Sequence, residues 1–388
     1  MSHAPRPTAD RFIHIGAPKC GSTALQSWLD INRATLAAQG VHYVSEGAHW
    51  IAPAKALVGV SDRVSGKPVP MREWERLVAA VRRVTPGAGS TARAIISSEW
   101  YAGASDEAVD RAARDLDGSR MRVLLFVRPL SSTLISAWQQ ALKLGGKQSL
   151  QEWLTTIFDE PTSPTAERAW GKHRYDLIAA RWAKHIGADR VSIVVLDPTN
   201  PSSLFRTVEE ITGVALSSAS AAPSRTNQSL SPFESDVLLA LNKEFYARGG
   251  TLRGYRQGVL RTFDGYVNSV RTGTPEKMRL PQSWEPRVAA LNEEIASGIE
   301  GSRVQVIGDL ALFRTSAPQG GLVTETPDRA VHVSSAAGMI YSLLVTTGIA
   351  QPSQPLAGFG PQRERTSAAV RRALAMIRNA LSRRTRRG

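Results

Sequence analysis

The chain has almost no cysteine. Its 388 residues hold one, Cys20, which excludes an internal disulfide framework and any cysteine-rich metal site and fits a reducing compartment. Acidic residues are also scarce: 34 Asp and Glu stand against 48 Lys and Arg, for a formal net charge of +14. The excess is uneven. Residues 361–388 hold nine arginines and one glutamate, so +8 of the +14 sits in this tail and the body is mildly basic. Long apolar runs are missing as well. The N-terminal MSHAPRPTADR has no apolar core of the kind a secretory signal needs. The longest uncharged apolar stretch, Ala330 to Ala350, is broken by His332, several Ser and Thr residues and two glycines. Such groups are costly in lipid, so it reads as a helix packed on the domain.

What is present is a soluble globular composition, 42% hydrophobic and 21% charged. The length allows one large or two ordinary domains with an ample core, and no internal repeat is visible. Phe12 to Ile15, Ala94 to Ser98, Arg122 to Val127 and Arg190 to Leu196 read as strands, with Gly40 to Val44 as an edge strand or turn. Arg72 to Arg83 carries Trp74, Leu77, Val78 and Val81 at helical spacing. Glu107 to Leu116, Leu130 to Leu142 and Arg174 to Ile186 also read as helices. This alternation predicts an α/β, three-layer P-loop-type fold around a central, mainly parallel sheet. Beyond Pro198 the chain reads as mostly helical, with Phe233 to Phe245 and Trp284 to Ile295 as the clearest segments. In such sheets ligands bind at the carboxyl ends of the strands, so the residues after Ile15, Ser98 and Val127 are the ones that matter.

After the first strand comes Gly16-Ala-Pro-Lys-Cys-Gly-Ser-Thr23 and then a helical pattern. A tight loop feeding a helix N-terminus is a ready anion site. Gly16 and Gly21 keep the five-residue offset of a nucleotide phosphate loop, but the usual Lys-Ser/Thr pair does not follow the second glycine. Ser22 and Thr23 stand there, Lys19 lies inside the loop, and no strand ends in an obvious Asp for magnesium, which an ATPase or kinase would want. The plain alternative is a glycine turn that closes a strand–helix unit and exposes a lysine. At the second strand end, Arg128 precedes a helix beginning near Ser131 or Ser132, either of which suits a cap. Ser136 follows Arg128 by eight residues. An arginine and a hydroxyl so placed can close on one phosphate from two sides, although Arg128 alone also reads as a surface or salt-bridge residue. At the third, Glu99 stands where a carboxylate can take a proton from an attacking hydroxyl, or simply cap a helix or pair with a cation. His49 and His173 are weaker alternative bases.

The Pro18-Lys19-Cys20-Gly21-Ser22-Thr23 run resembles the 5′-phosphosulfate loop of sulfotransferases that use 3′-phosphoadenosine 5′-phosphosulfate (PAPS). The resemblance implies a donor site formed by Gly16, Lys19, Cys20, Gly21, Ser22 and Thr23, with Lys19 on the oxygen bridging phosphate and sulfate. Arg128 and Ser136 resemble the family's 3′-phosphate pair in type and separation. By the same resemblance Glu99 is the base, as in carbohydrate sulfotransferases. Arg174 to Leu196 is similar to a bacterial sulfotransferase segment in which a Tyr-bearing helix and a Gly turn lead into the last sheet strand. Ser224 to Ser231 is similar to the Asn-x-Ser-Leu segment that follows. Two departures stand out. Arg128-Pro129-Leu130 replaces the usual Arg-Asp/Asn-Pro, and Ala24 holds the position where cytosolic members stack a tryptophan on adenine, with Trp28 a turn further on.

The last segment, 363–388, is a basic amphipathic tail in which Val370, Leu374, Ile377 and Leu381 form one apolar stripe among arginines. It suits an anionic membrane surface, or equally a solvated tail or a helix packed on the body. No aromatic platform accompanies the arginines, so nucleic acid is not expected. Residues 8–315 are then a sulfotransferase-like catalytic domain, and 316–362 is a Gly/Pro/Ser/Thr-rich segment whose composition predicts no definite fold. The expected activity is transfer of the sulfuryl group from PAPS to a hydroxyl of a carbohydrate or glycolipid, with no metal. The expected location is the cytoplasm, with the tail peripheral on the inner membrane face. A P-loop nucleotide kinase or ATPase, or a noncatalytic membrane-associated scaffold, are the other classes the residues allow.

Overall fold

Six short strands build the frame: β1 (Arg11–His14), β2 (Val41–Tyr43), β3 (Arg93–Ser97), β4 (Met121–Val127), β5 (Val191–Val195) and β6 (Gln305–Ile307). In this computed structural model, residues 10–61, 66–85, 91–197, 200, 202–214, 229–271 and 276–314 are described. The Gly/Pro/Ser/Thr-rich segment, the apolar stretch at Ala330, the basic tail and most of Ser224 to Ser231 lie outside them. The strands form one parallel sheet in the order β2-β3-β1-β4-β5-β6. Every residue of β1 and of β5 is buried, as is all of β4 except Arg122. Successive strand residues point to opposite faces, so both faces are covered and the sheet is the middle layer of an α/β fold.

The order of the strands decides where a ligand site can open. From β1 the chain runs out to β2 and returns through β3, then crosses to β4, β5 and β6 on the other flank. The crossovers after β1 and after β4 leave in opposite directions, and between two such strand ends a crevice forms at the carboxyl edge. The loop at Gly16 and the residue Arg128 stand on either side of that point.

The described residues fall into two compact units. One takes those of Met1–Ala137, Gln151–Ser224 and Arg279–Val323, including the whole sheet. The other takes those of Trp138–Leu150 and Arg225–Met278. The second is helical, and its polar interior is tied closely. Gln139 donates to the Leu230 carbonyl (2.7 Å) and accepts from the Leu230 N–H (3.1 Å). Asn242 donates to the carbonyls of Leu142 and Gly146, both at 2.8 Å. Its Pro232–Ala247 helix opens on a reciprocal cap between Ser231 and Glu234, the arrangement that satisfies two orphan N–H groups at once.

Two expectations need correction. The strand after the Tyr175–Ile186 helix is not the last one, because β6 pairs in parallel outside β5, with Ser192 opposite Gln305. Three residues that are not fully buried carry no alternation a sequence could reveal. The second correction concerns the helix after β4. It begins at Leu130, and the cap comes neither from Ser131 nor from Ser132, whose hydroxyl donates back to the Pro129 carbonyl at 3.0 Å. The buried side chain of Asn292, on the Glu285–Gly301 helix, accepts the Leu130 N–H at 3.2 Å. A cap supplied from 162 residues away leaves no local signature. Trp28 is also settled: it is fully buried and stacked on Phe205 at 5.4 Å, so it is a core residue and no platform for a base.

Replacing Asn292 by Ala leaves the Leu130 N–H buried without a partner, which costs about 1–3 kcal/mol. Urea denaturation should show that loss as a lower midpoint, and an unchanged midpoint would refute the capping role.

Candidate active site at the carboxyl edge of the sheet

Between β1 and the Ser22–Ile31 helix, the chain turns within a few residues. The Cys20 N–H donates to the Ala17 carbonyl at 3.2 Å, Lys19 sits at φ 69° and Gly21 at φ 81°. Both residues are in the left-handed region, which glycine enters freely and lysine does not. Holding lysine there costs of order 1–3 kcal/mol, so the surroundings must impose it. The first helical bond runs from the Leu25 N–H to the Gly21 carbonyl. No side chain caps this helix and no acid occupies its first turn. By contrast, Ser105 and Ser163 cap the helices they precede, and both have acids in the first turn. The positive end of the Ser22–Ile31 helix is therefore left open toward the loop.

Gly16 is required by close approach. A Cβ there would overlap His14 Nε2 and lie 2.9 Å from Ser22 Oγ. Both of those atoms are buried and have no hydrogen-bond partner among the described residues. Two unpartnered polar atoms thus stand beside a glycine that admits no side chain.

The underside of the loop is pinned by Cys20. Its thiol is fully buried, held by hydrogen bonds with the Tyr175 hydroxyl and the Arg128 backbone N–H, and burial pushes its pKa up to about 12. Tyr175 is itself buried and donates to Thr133 Oγ1 at 3.4 Å. Cys20 thus serves the loop from below, with its N–H already spent on Ala17. Above it, Arg128 Nη1 donates to the Lys19 carbonyl at 3.4 Å. Two basic residues, 109 positions apart, meet on one loop.

Glu99 opens a short 3₁₀ turn directly after β3, joined to β1 by the Ser98 N–H, which donates to the His14 carbonyl at 3.1 Å. Its charge acts on the Cys20 thiol and so lies on the same edge as the loop. The residue that caps this turn is Ser98, which accepts the Trp100 N–H, and Glu99 itself enters no ion pair or hydrogen bond among the described residues. The capping and salt-bridge readings of Glu99 therefore fall away. Next to it, Lys55 and Lys172 lie over the Trp100 ring at 5.0 and 4.7 Å from its centroid, adding positive charge beside the edge.

The other expected residues are placed less tightly. Ser22 is the buried first residue of its helix, and Thr23 follows half-buried. Ser136 is half-buried in the second turn of the Leu130–Lys143 helix and makes no hydrogen bond among the described residues. His173 is a core residue whose Nδ1 donates to the Ala169 carbonyl at 2.7 Å. His49 is exposed at the carboxyl edge, in the segment after β2. Asp197, two residues beyond β5, lies outside the expected set. No group of three or more His, Cys, Asp or Glu able to hold a metal exists among the described residues. Sequence reasoning missed the roles of His14, Tyr175 and Thr133. A histidine inside the apolar run Phe-Ile-His-Ile just ahead of a glycine was the available signal for the first, and the tyrosine-bearing segment Arg174 to Leu196 for the second; Thr133 had none.

Burial lowers the pKa of His14 to about 3 and that of His173 to about 4. Below about pH 6.5 the unfolded chain gains a proton on each ring while the folded chain does not, so stability falls with pH from there toward pH 3–4. Chemical denaturation between pH 7 and pH 4 should show a loss of a few kcal/mol, smaller in His173→Gln. A flat profile would contradict neutral, buried rings.

No protein-family model and no curated protein matches the chain. Among solved structures, a sulfotransferase from Alicyclobacillus acidocaldarius is similar at 15% identity and a TM-score of 0.37, over 64% of this chain and 98% of that one. At that level the function of the site rests on its own residues.

Proposed function

We propose that the protein transfers a sulfuryl group from PAPS to a hydroxyl acceptor, a carbohydrate or glycolipid. The observation that carries the reading is the hydrogen bond from Arg128 to the Lys19 carbonyl. It joins the loop with an internal lysine to the arginine at the end of β4, and a donor with phosphates at both its 5′ and 3′ positions needs both. In support stand the uncapped helix end, the unpartnered polar atoms of His14 and Ser22 beside Gly16 and the unpaired carboxylate of Glu99.

The chemistry is an in-line displacement at sulfur. The acceptor oxygen forms the new S–O bond as the bond to the bridging oxygen breaks. Glu99 takes the hydroxyl proton, and Lys19 meets the charge that develops on the departing phosphate oxygen. Loop amides and the hydroxyls of Ser22 and Thr23 hold the 5′-phosphate. Arg128 with Ser136 holds the 3′-phosphate and so selects this donor over ATP.

Calorimetric titration with 3′-phosphoadenosine 5′-phosphate (PAP), set against Mg-ATP, tests this directly. Tight PAP binding and weak ATP binding are expected, with PAP affinity reduced about 10- to 100-fold in Arg128→Ala. Preference for Mg-ATP would make the protein a nucleotide kinase or ATPase, and no binding of either would leave a scaffold. With labelled donor and a panel of saccharide and glycolipid acceptors, Lys19→Ala should abolish transfer. Glu99→Gln should slow it by roughly 10²–10⁴ while PAP affinity stays unchanged; an intact rate would remove Glu99 from the base role.

A further inference from the structure

Behind the loop, four side chains meet in sequence: His14 from β1, Ser97 from β3, Gln26 from the Ser22–Ile31 helix, and His49. His14 Nδ1 lies 2.8 Å from Ser97 Oγ. Gln26 Nε2 lies 3.2 Å from both the Ser97 carbonyl and Ser97 Oγ. Gln26 Oε1 lies 2.6 Å from His49 Nδ1.

Chemistry assigns every proton in this row. A carbonyl only accepts, so the atom of Gln26 facing the Ser97 carbonyl must be the amide nitrogen, and the atom facing His49 must be the oxygen. His49 Nδ1 therefore carries the proton, which leaves Nε2 as an acceptor. The second Gln26 N–H enters Ser97 Oγ, whose own proton has one available acceptor, His14 Nδ1. The neutral His14 ring then holds its proton on Nε2. That N–H lies against Gly16 beside Ser22 Oγ, with no protein partner among the described residues.

We propose that these four side chains form a single directed hydrogen-bond chain that makes His49 a positioning residue of the acceptor side, responsive to an anion in the Gly16 loop. All the donors point the same way, so polarisation accumulates along the row. An anion held on the loop acts through its field on the buried His14 Nε2–H and makes Nδ1 a stronger acceptor. Each following oxygen then becomes more negative, and His49 Nε2 ends up more electron-rich. Donor binding in this way prepares an exposed imidazole on the carboxyl edge to accept a hydrogen bond from a second hydroxyl of the acceptor, the reacting one being served by Glu99. The assignment of the anion as the donor's phosphate rests on the function proposed above; the chain itself does not.

Long-range proton–nitrogen spectra of the ¹⁵N-labelled full-length protein read each histidine tautomer directly, with His49→Gln assigning the His49 signals. The free protein should show His49 protonated on Nδ1 and His14 on Nε2. His49 protonated on Nε2 would overturn the chain, with or without any ligand. Adding PAP should shift the ring nitrogens of both residues. In Ser97→Ala the His14 response should persist and the His49 response should fall several-fold. A His49 signal that ignores an anion felt by His14, or one that responds equally in Ser97→Ala, would overturn the coupling. If PAP does not bind, the PAPS reading fails separately, and inorganic sulfate replaces it as the probe. Shifts at both rings with sulfate would sustain the chain, and none at either would end the proposal.

Discussion

The placement of β1 between β3 and β4 is the constraint on which the rest of this structure depends. Its four residues pair in parallel on both sides, Ile13 with Ile96 and with Val123. Beyond the strand, the Ile15 N–H donates to the Leu124 carbonyl and the Ser98 N–H to the His14 carbonyl. Those bonds bring three strand ends into register on one edge, and with them the Gly16 loop, Glu99 and Arg128. A one-residue slip of β1 would turn each of its side chains to the opposite face, carrying His14 away from Ser97 and moving Gly16 off its close approach.

Within that frame the loop is held in a conformation it would not choose alone. Lys19 is left-handed, and Gly16 has no room for a methyl group. What stabilises the turn lies beneath and beside it: a buried thiol on Tyr175 and the Arg128 backbone, and the Arg128 guanidinium on the Lys19 carbonyl. Backbone strain of about 1–3 kcal/mol is offset by burial of Cys20 and Tyr175, each removed entirely from solvent. Cysteine suits the place because a small apolar thiol with a pKa near 12 stays neutral there. The single cysteine of the chain is thus a packing residue of the site.

The electrostatics of the edge are lopsided. Lys19, Arg128, Lys55, Lys172 and an uncapped helix end gather there, and Glu99 is half-buried among them without an ionic partner. Elsewhere on this unit, acids are matched to arginines, as with Asp176 and Glu294 on Arg174 or Glu293 and Glu300 on Arg314. Positive charge gathered at one strand edge favours an anionic ligand over a neutral one. No helix among the described residues is long and apolar enough to cross a membrane.

Local patterns were legible in the sequence wherever a residue's partner lies within a turn or two. The strand–loop–helix at Phe12 to Trp28, the buried runs of β3, β4 and β5, and the helices at Arg72, Leu130 and Glu285 follow from periodicity and from glycine placement. The residues at three strand ends were therefore identifiable as candidates. Their meeting was not. Asn292 capping Leu130, Arg128 reaching Lys19, and Ser97 joining His14 to Gln26 span from 71 to 162 residues of sequence. A hydrogen bond between distant residues leaves no period and no composition bias behind. The sequence by itself determined which side chains stand at the carboxyl edge, because side-chain type and strand ends are local properties. Only the tertiary structure decided that Glu99 is unpaired, that Cys20 faces inward, and that His14 and His49 end one chain, because burial and partnership exist only once the sheet has closed.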